Sequence, residues 1–295
     1  MNWEELRPDE MPRAIERSGG LCVLPLGCTE KHGPHMPLGT DSLQVRHHVE
    51  LAAQMEEVVV FPTAMWLGDM MDNHPFDYKK SNHGCITLSP HTLLTVLEEL
   101  CDEIARNGFR KILIINGHGG NRPLLNYFLR CQSYYAKPYA TMIADTWDSV
   151  ISHADEALAH FTAHREEYPM LTDEDLDLLK QYAALPDGFG RGGHAGLMET
   201  AWSMGSHPHL LSTDRVEEGL GRSTHRSDYL KELGISISCG WQADFPNAIG
   251  GHSKFGCTET LGQAFNHYSA LKVAKMIRVL KEDEECVKIA TGKQS

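Results

Sequence analysis

Four short stretches of the chain are almost continuously apolar and run into glycine, proline or a polar residue: "LCVLPLG" (21–27), "VVVFPT" (58–63), "KILIING" (111–117) and "YATMIAD" (139–145). They lack the strict alternation of a half-exposed strand, and so predict strands of a parallel sheet buried on both faces. Between them the period changes to that of a helix, over 42–56, 90–107 and 121–135. In the second of these, Leu93, Leu94, Leu97, Leu100, Cys101 and Ile104 recur at three-and-four spacing. Strand, helix and strand in series imply right-handed crossovers, hence an α/β fold with a parallel sheet covered on both faces. "ISISCGW" (235–241) reads as a further strand. The stretch 258–282 reads as a long helix with Leu261, Ala264, Phe265, Tyr268, Leu271, Ala274, Ile277 and Leu280 on one face. The acidic segment 150–190 breaks the rhythm. It is mostly helical in pattern, closes in a glycine-rich loop, and reads as an insertion or lid within a single domain spanning 1–295.

Charge and composition narrow the function. The 295 residues carry a formal net charge of −13, and the largest basic runs are pairs such as Lys79-Lys80, so no footprint for nucleic acid is visible. The N-terminus has no apolar signal core, and no later stretch approaches the roughly 18–20 apolar residues of a membrane span. A cytoplasmic protein acting on a small molecule is expected. Eight cysteines are scattered without a C-x-x-C pair, which makes reduced, buried thiols the default.

Chemistry concentrates in three loops. "TEKHGPHMPLGTD" (29–41) follows the first strand, and its extended Glu30-Lys31-His32 sends a carboxylate and an imidazole to the same side while Asp41 returns after a Gly/Pro-broken turn. A metal-wrapping loop and a helix cap from Thr40 or Asp41 are both compatible with that stretch. "NGHGGN" (116–121) follows the strongest strand signal and projects His118 from the carboxyl end of the sheet, where open α/β sheets bind ligands. It lacks the glycine spacing of dinucleotide loops and the Gly-Lys-Ser/Thr of phosphate loops, which disfavours a nicotinamide oxidoreductase. "GGHAGLMET" (192–200) offers His194 and places Glu199 in a first helical turn, where it also suits the helix dipole. Together, Glu30, His32, Asp41, His118, His194 and Glu199 form a nitrogen and oxygen donor set suited to zinc, manganese or iron.

The runs "LPLGCTEKHGPHMPLGTD" (24–41), "HGCITL" (83–88), "NGFRKILIINGHGGN" (107–121) and "HAGLMET" (194–200), in this order, resemble the creatininase (creatinine amidohydrolase) family over roughly residues 20–260. The resemblance implies a three-layer α/β/α fold, two divalent metal ions per chain, hydrolysis of amide-like bonds and often a homohexamer. It implies Glu30, His32, Asp41 and His118 as ligands, with Asp41 bridging the ions, and His194 as a proton-transfer residue. Creatininases proper carry a glutamate ligand where this chain has Gly120. Glu199 is then the natural replacement ligand, with a catalytic part through the metal it holds, and creatinine becomes a poor substrate expectation.

The function expected is a hydrolase in which a metal-bridging hydroxide attacks the carbonyl of a small polar, cyclic amide or related substrate. Other family members act on formamides of opened purines, a peptide or a cyclic polyol ketone, so a formamide or a C–C bond is the alternative target. The competing class is a non-catalytic, metal-dependent small-molecule binding module. Trp66, Trp147 and Asn121 are the candidates to line the pocket, whereas Trp202 and Trp241 read as core. His47-His48 and His207-x-His209 read as solvated or core histidines.

Overall fold

The computed structural model describes residues 1–65, 67–68, 84–146, 153–185, 193–217, 219–251 and 256–292. Trp66, Trp147, His83 and both ends of the 150–190 segment lie outside the described residues. The elements in chain order are α1 (Met11–Arg17), β1 (Leu21–Leu26), α2 (Thr40–Met55), β2 (Val59–Val60), α3 (Pro90–Arg106), β3 (Lys111–Asn116), α4 (Asn121–Tyr135) and β4 (Ala140–Asp145). They continue with α5 (Ala154–Ala163), α6 (Asp173–Ala183), α7 (Leu197–Ser206), α8 (Asp228–Glu232), α9 (Gly240–Asp244), α10 (Glu259–Glu282) and α11 (Glu285–Thr291).

The four strands form one parallel sheet in the order β2-β1-β3-β4. Strand period two divides the core into two halves. Leu21, Val23, Leu113 and Ile115 face one side and pack with Val45 and Val49 of α2 and with Val273 and Ile277 of α10. Cys22, Leu24, Ile112 and Ile114 face the other, against Leu93, Leu97, Cys101 and Ile104 of α3 and Leu125 and Phe128 of α4. That is the α/β/α sandwich, and it leaves the central strands β1 and β3 buried along their whole length. Lys111 begins β3 and is fully buried; its ammonium donates to the carbonyls of Lys281, in the last turn of α10, and of Asp283 just beyond it, and the Glu284 carboxylate 3.6 Å away balances a charge the pattern alone does not account for.

Three expectations change. The stretch 58–63 contributes only Val59–Val60 to the sheet, and β4, at the other edge, is only partly buried. The stretch 235–241 is not a strand: Ile235 and Ile237 are 50% and 56% exposed, and the chain turns into the short helix α9. An alternating pattern needs a neighbouring strand to become one, and among the described residues none pairs with this segment. Finally, α2 begins one residue before Asp41, with Gly39 as an N-cap that makes no side-chain bond, so neither Thr40 nor Asp41 caps it. The helices α5 and α6 share a core with α7 and α10 through Ala157, Phe161, Leu179, Ala201, Leu261 and Phe265. Among the described residues no helix is long and apolar enough to cross a membrane.

Candidate active site

The parallel sheet delivers the carboxyl ends of β1 and β3 side by side, and α2 starts directly above them. Gly27 and Gly117, the residues after those two strands, make the approach possible. A Cβ on Gly117 would lie 2.7 Å from the Cβ of Val45 and 2.9 Å from the carbonyl of Asp41, and one on Gly27 would meet the backbone of Asp41 at 2.6 Å. With both left bare, the first turn of α2 presses onto the sheet and carries Asp41 between the loops that hold His32 and His118.

Asp41 sits at the centre of the site. Its Oδ1 is 3.0 Å from His32 Nε2 and its Oδ2 is 3.0 Å from His118 Nδ1. Glu30 Oε1 is 3.0 Å from His118 Nδ1, and Glu199 Oε2 is 3.6 Å from His32 Nε2. Glu30, His32, Asp41 and His118 are all buried, at 6%, 1%, 1% and 7% exposure, so these charges are held out of water. His194 Nδ1 lies 3.5 Å from Glu30 Oε1, and its ring stands 4.2 Å from that of His32.

Backbone contacts orient the rings. His32 Nδ1 is 3.2 Å from the Glu30 carbonyl, which only accepts, so Nδ1 carries the hydrogen and Nε2 faces the carboxylates. His194 is reversed: Nε2 donates to the Lys31 carbonyl at 2.8 Å, which leaves Nδ1 toward the cluster. Ala195 adopts the left-handed region, with φ 57°, and aims its amide at Glu199 Oε2, 2.7 Å away. Gln44 of α2 donates to the Glu199 carbonyl and to Ser203, both at 2.7 Å, and so ties α7 to the helix that carries Asp41. Beneath His118, Asn116 donates to Asp145 at 2.7 Å, and Asn121 donates to the Gly27 carbonyl at 3.0 Å and to Asn116 at 3.1 Å. Asn121 is 1% exposed and braces the two loops from below, away from the cavity wall.

The cluster carries excess negative charge. Burial alone would lower the His32 imidazole, but Asp41, Glu199 and Glu30 carry it up to about 10. His118 is raised well above its ordinary value by Glu30 against the same burial cost. Asp41 is held well below the usual carboxylate range by His32 and His118 despite full burial, whereas burial raises Glu199. Such a set prefers positive charge. The three 3.0 Å contacts are hydrogen-bond distances, a few tenths of an ångström below the roughly 3.3 Å that separates neighbouring donors of a tetrahedral ion with bonds of about 2.0–2.1 Å, so a small expansion of the cluster would admit an ion. The donors fall into groups within 4.8 Å of one another: Cys28, Glu30, Asp41 and His118; His32, Asp41 and Glu199; and Glu30, His32 and His194. Glu30 Oε1 is buried and, although His118 Nδ1 lies 3.0 Å away, makes no well-aligned hydrogen bond among the described residues, a deficit that a cation would remove.

A cavity of about 300 Å³ opens on the cluster, lined by Glu30, His118, His194 and Glu199, by Gly119, Gly120 and Pro123, and by Trp241 and Gln242. Trp241 is therefore no core residue; it is 36% exposed and meets His194 edge-on at 5.2 Å. His48, by contrast, is buried against Trp202 and bonded to Asn266 at 2.8 Å, and burial pushes its imidazole down to about 3.

A family model described as creatinine amidohydrolase matches residues 2–277. The chain belongs to the creatininase family. Creatinine amidohydrolase of Pseudomonas putida is 24% identical over 216 residues, 68% of this chain and 70% of that protein. The mycofactocin precursor peptide peptidase of Mycobacterium tuberculosis is 34% identical over 109 residues, 34% of this chain, and the matched segment spans only 40% of the peptidase's own length. In three dimensions a solved manganese creatininase superposes with a TM-score of 0.65 at 20% identity, covering 96% of this chain and 99% of that one. A mutant creatininase of Zn-Zn type gives 0.65 at 18%, over 96% and 98%. This family member thus pairs the α/β frame of the solved creatininases with a cluster of potential metal ligands at the carboxyl end of its sheet.

Proposed function

We propose that the chain is a hydrolase that holds two divalent ions, zinc, manganese or iron, on either side of Asp41 and cleaves an amide or related bond in a small polar, cyclic substrate. The orientation of Asp41 carries this reading, since each oxygen faces a different buried histidine at 3.0 Å. Glu30 and His118 would complete one ion position, and His32 and Glu199 the other. When bound, the ions supply a Lewis acid for the substrate carbonyl and a hydroxide nucleophile near neutral pH.

The chain's own residues do the rest. His194, fixed by its bond to Lys31, keeps Nδ1 at the cavity wall, where it takes up a proton and hands it to the leaving nitrogen. Trp241 limits the tilt of that ring and offers a flat apolar wall, while the Gln242 amide and the bare backbone of Gly119 and Gly120 leave room for polar edges. About 300 Å³ is at the small end of ligand pockets, which favours a metabolite over an extended peptide. A formamide or a cyclic polyol ketone would use the same site with a different scissile bond. The core shared by α5, α6, α7 and α10 supports reading 150–190 as part of a single domain.

The test is turnover by chelated and metal-reloaded protein on a panel of creatinine, other cyclic amides, formamides and cyclic polyol ketones. Hydrolysis of a panel member that disappears on chelation and returns with zinc or manganese supports the proposal. Tight metal and ligand binding with no consumption of any member identifies a binding module instead.

A further inference from the structure

The His118 side of the cluster contains one donor more than the dinuclear reading uses. Cys28 follows β1 by two residues, is fully buried, and has Sγ 3.2 Å from Asp41 Oδ2. Bonds of about 2.3 Å to sulfur and about 2.0 Å to oxygen around a tetrahedral ion set those two atoms about 3.5 Å apart. The observed 3.2 Å, and the 3.0 Å from His118 Nδ1 to both Asp41 Oδ2 and Glu30 Oε1, fall a few tenths of an ångström short of such edges, and all four donor atoms lie within 4.8 Å of one another. Glu30 Oε1 also points to a cation there: it is buried and makes no well-aligned hydrogen bond among the described residues, its nearest ionic neighbours being His118 Nδ1 at 3.0 Å, which Asp41 Oδ2 shares, and His194 Nδ1 at 3.5 Å. No other cysteine joins a metal-ligating group among the described residues.

Building on the dinuclear reading, we propose that Cys28 is the fourth ligand of the ion held by Glu30, Asp41 and His118. The two ion positions are then chemically unlike. One offers sulfur, nitrogen and two oxygens and favours zinc or another thiophilic ion, whereas the other, built from His32, Asp41 and Glu199, offers only nitrogen and oxygen. In the metal-free chain the Cys28 S–H points at Asp41 Oδ2 and fills part of the space the ion would take.

X-ray absorption at the zinc edge of wild-type protein loaded with two zinc ions tests this directly. The expected result is a sulfur shell at about 2.3 Å averaging half a sulfur per zinc. Cobalt-loaded protein should show an intense sulfur-to-cobalt charge-transfer band that Cys28→Ser abolishes. The same variant should bind cadmium at least about 10-fold more weakly, with a smaller change for manganese. Two bound ions with nitrogen and oxygen shells alone, or a charge-transfer band that survives Cys28→Ser, would overturn the Cys28 assignment and leave the dinuclear reading standing. Absence of any bound zinc would overturn both. The absorption measurement on wild-type protein decides the matter even if the variant does not fold.

Discussion

Asp41→Asn keeps the size and shape of the central side chain and removes its charge. The rise of His32 from 6.5 to about 10 corresponds to roughly 5 kcal/mol of preference for positive charge, and Asp41 is the largest contributor opposing the cost of burial. Breaking a buried charge pair costs about 3–5 kcal/mol, or roughly 10²–10⁴-fold in affinity. Because Oδ1 and Oδ2 face different histidines at 3.0 Å, that loss should fall on both ions. His118→Ala, by comparison, should weaken mainly the ion on its own side. Competition of each variant against a chromophoric chelator, with elemental analysis after dialysis, measures both affinities. Retention of either ion by Asp41→Asn at wild-type affinity would refute the reasoning, as would equal loss of both ions in His118→Ala.

Three further outcomes follow from the same geometry. His194→Ala should keep full metal content and lose about 10²–10⁴-fold in kcat; loss of an ion would instead make Nδ1, which shares a group with Glu30 and His32, a ligand. In the chelated protein the folded state holds His32 protonated up to about 10, above its ordinary 6.5, so this stabilisation is complete below about pH 6.5 and lost as pH rises through about 10. Denaturant melts should show that decline over this window in the chelated protein and a much smaller one after zinc loading. Creatinine should turn over with kcat/KM below about 10⁴ M⁻¹s⁻¹, since Gly120 offers no carboxylate at the cavity wall; a higher value would mean that Gly120 is a poor guide to substrate.

The central sheet was legible because β1 and β3 are buried on both faces and therefore read as unbroken apolar runs. The stretch 235–241 misled because its pattern is local, whereas a strand needs a partner; there the alternate isoleucines face solvent. Glu30, His32, Asp41, His118, His194 and Glu199 stood out because each lies in or beside a glycine-rich turn at a strand end or a helix start. Trp241 and Gln242 did not, since they reach the cavity on a five-residue helix entered through Cys239 at φ 59°, a tertiary placement with no periodic signal. Cys28 was one of eight scattered cysteines expected to be reduced and buried, and only the return of Asp41 above it gives its sulfur a charged neighbour. Asn116 and Asp145 escaped notice for the same reason, their bond being made across two adjacent strands.

The central claim is the pair of ions bridged by Asp41, and anomalous diffraction from crystals loaded with zinc or manganese tests it most directly. Two peaks are predicted on opposite sides of the Asp41 carboxylate, about 3.5–4 Å apart, one beside His118 and Glu30 and the other beside His32 and Glu199. A single peak, or peaks that do not flank Asp41, would contradict the account.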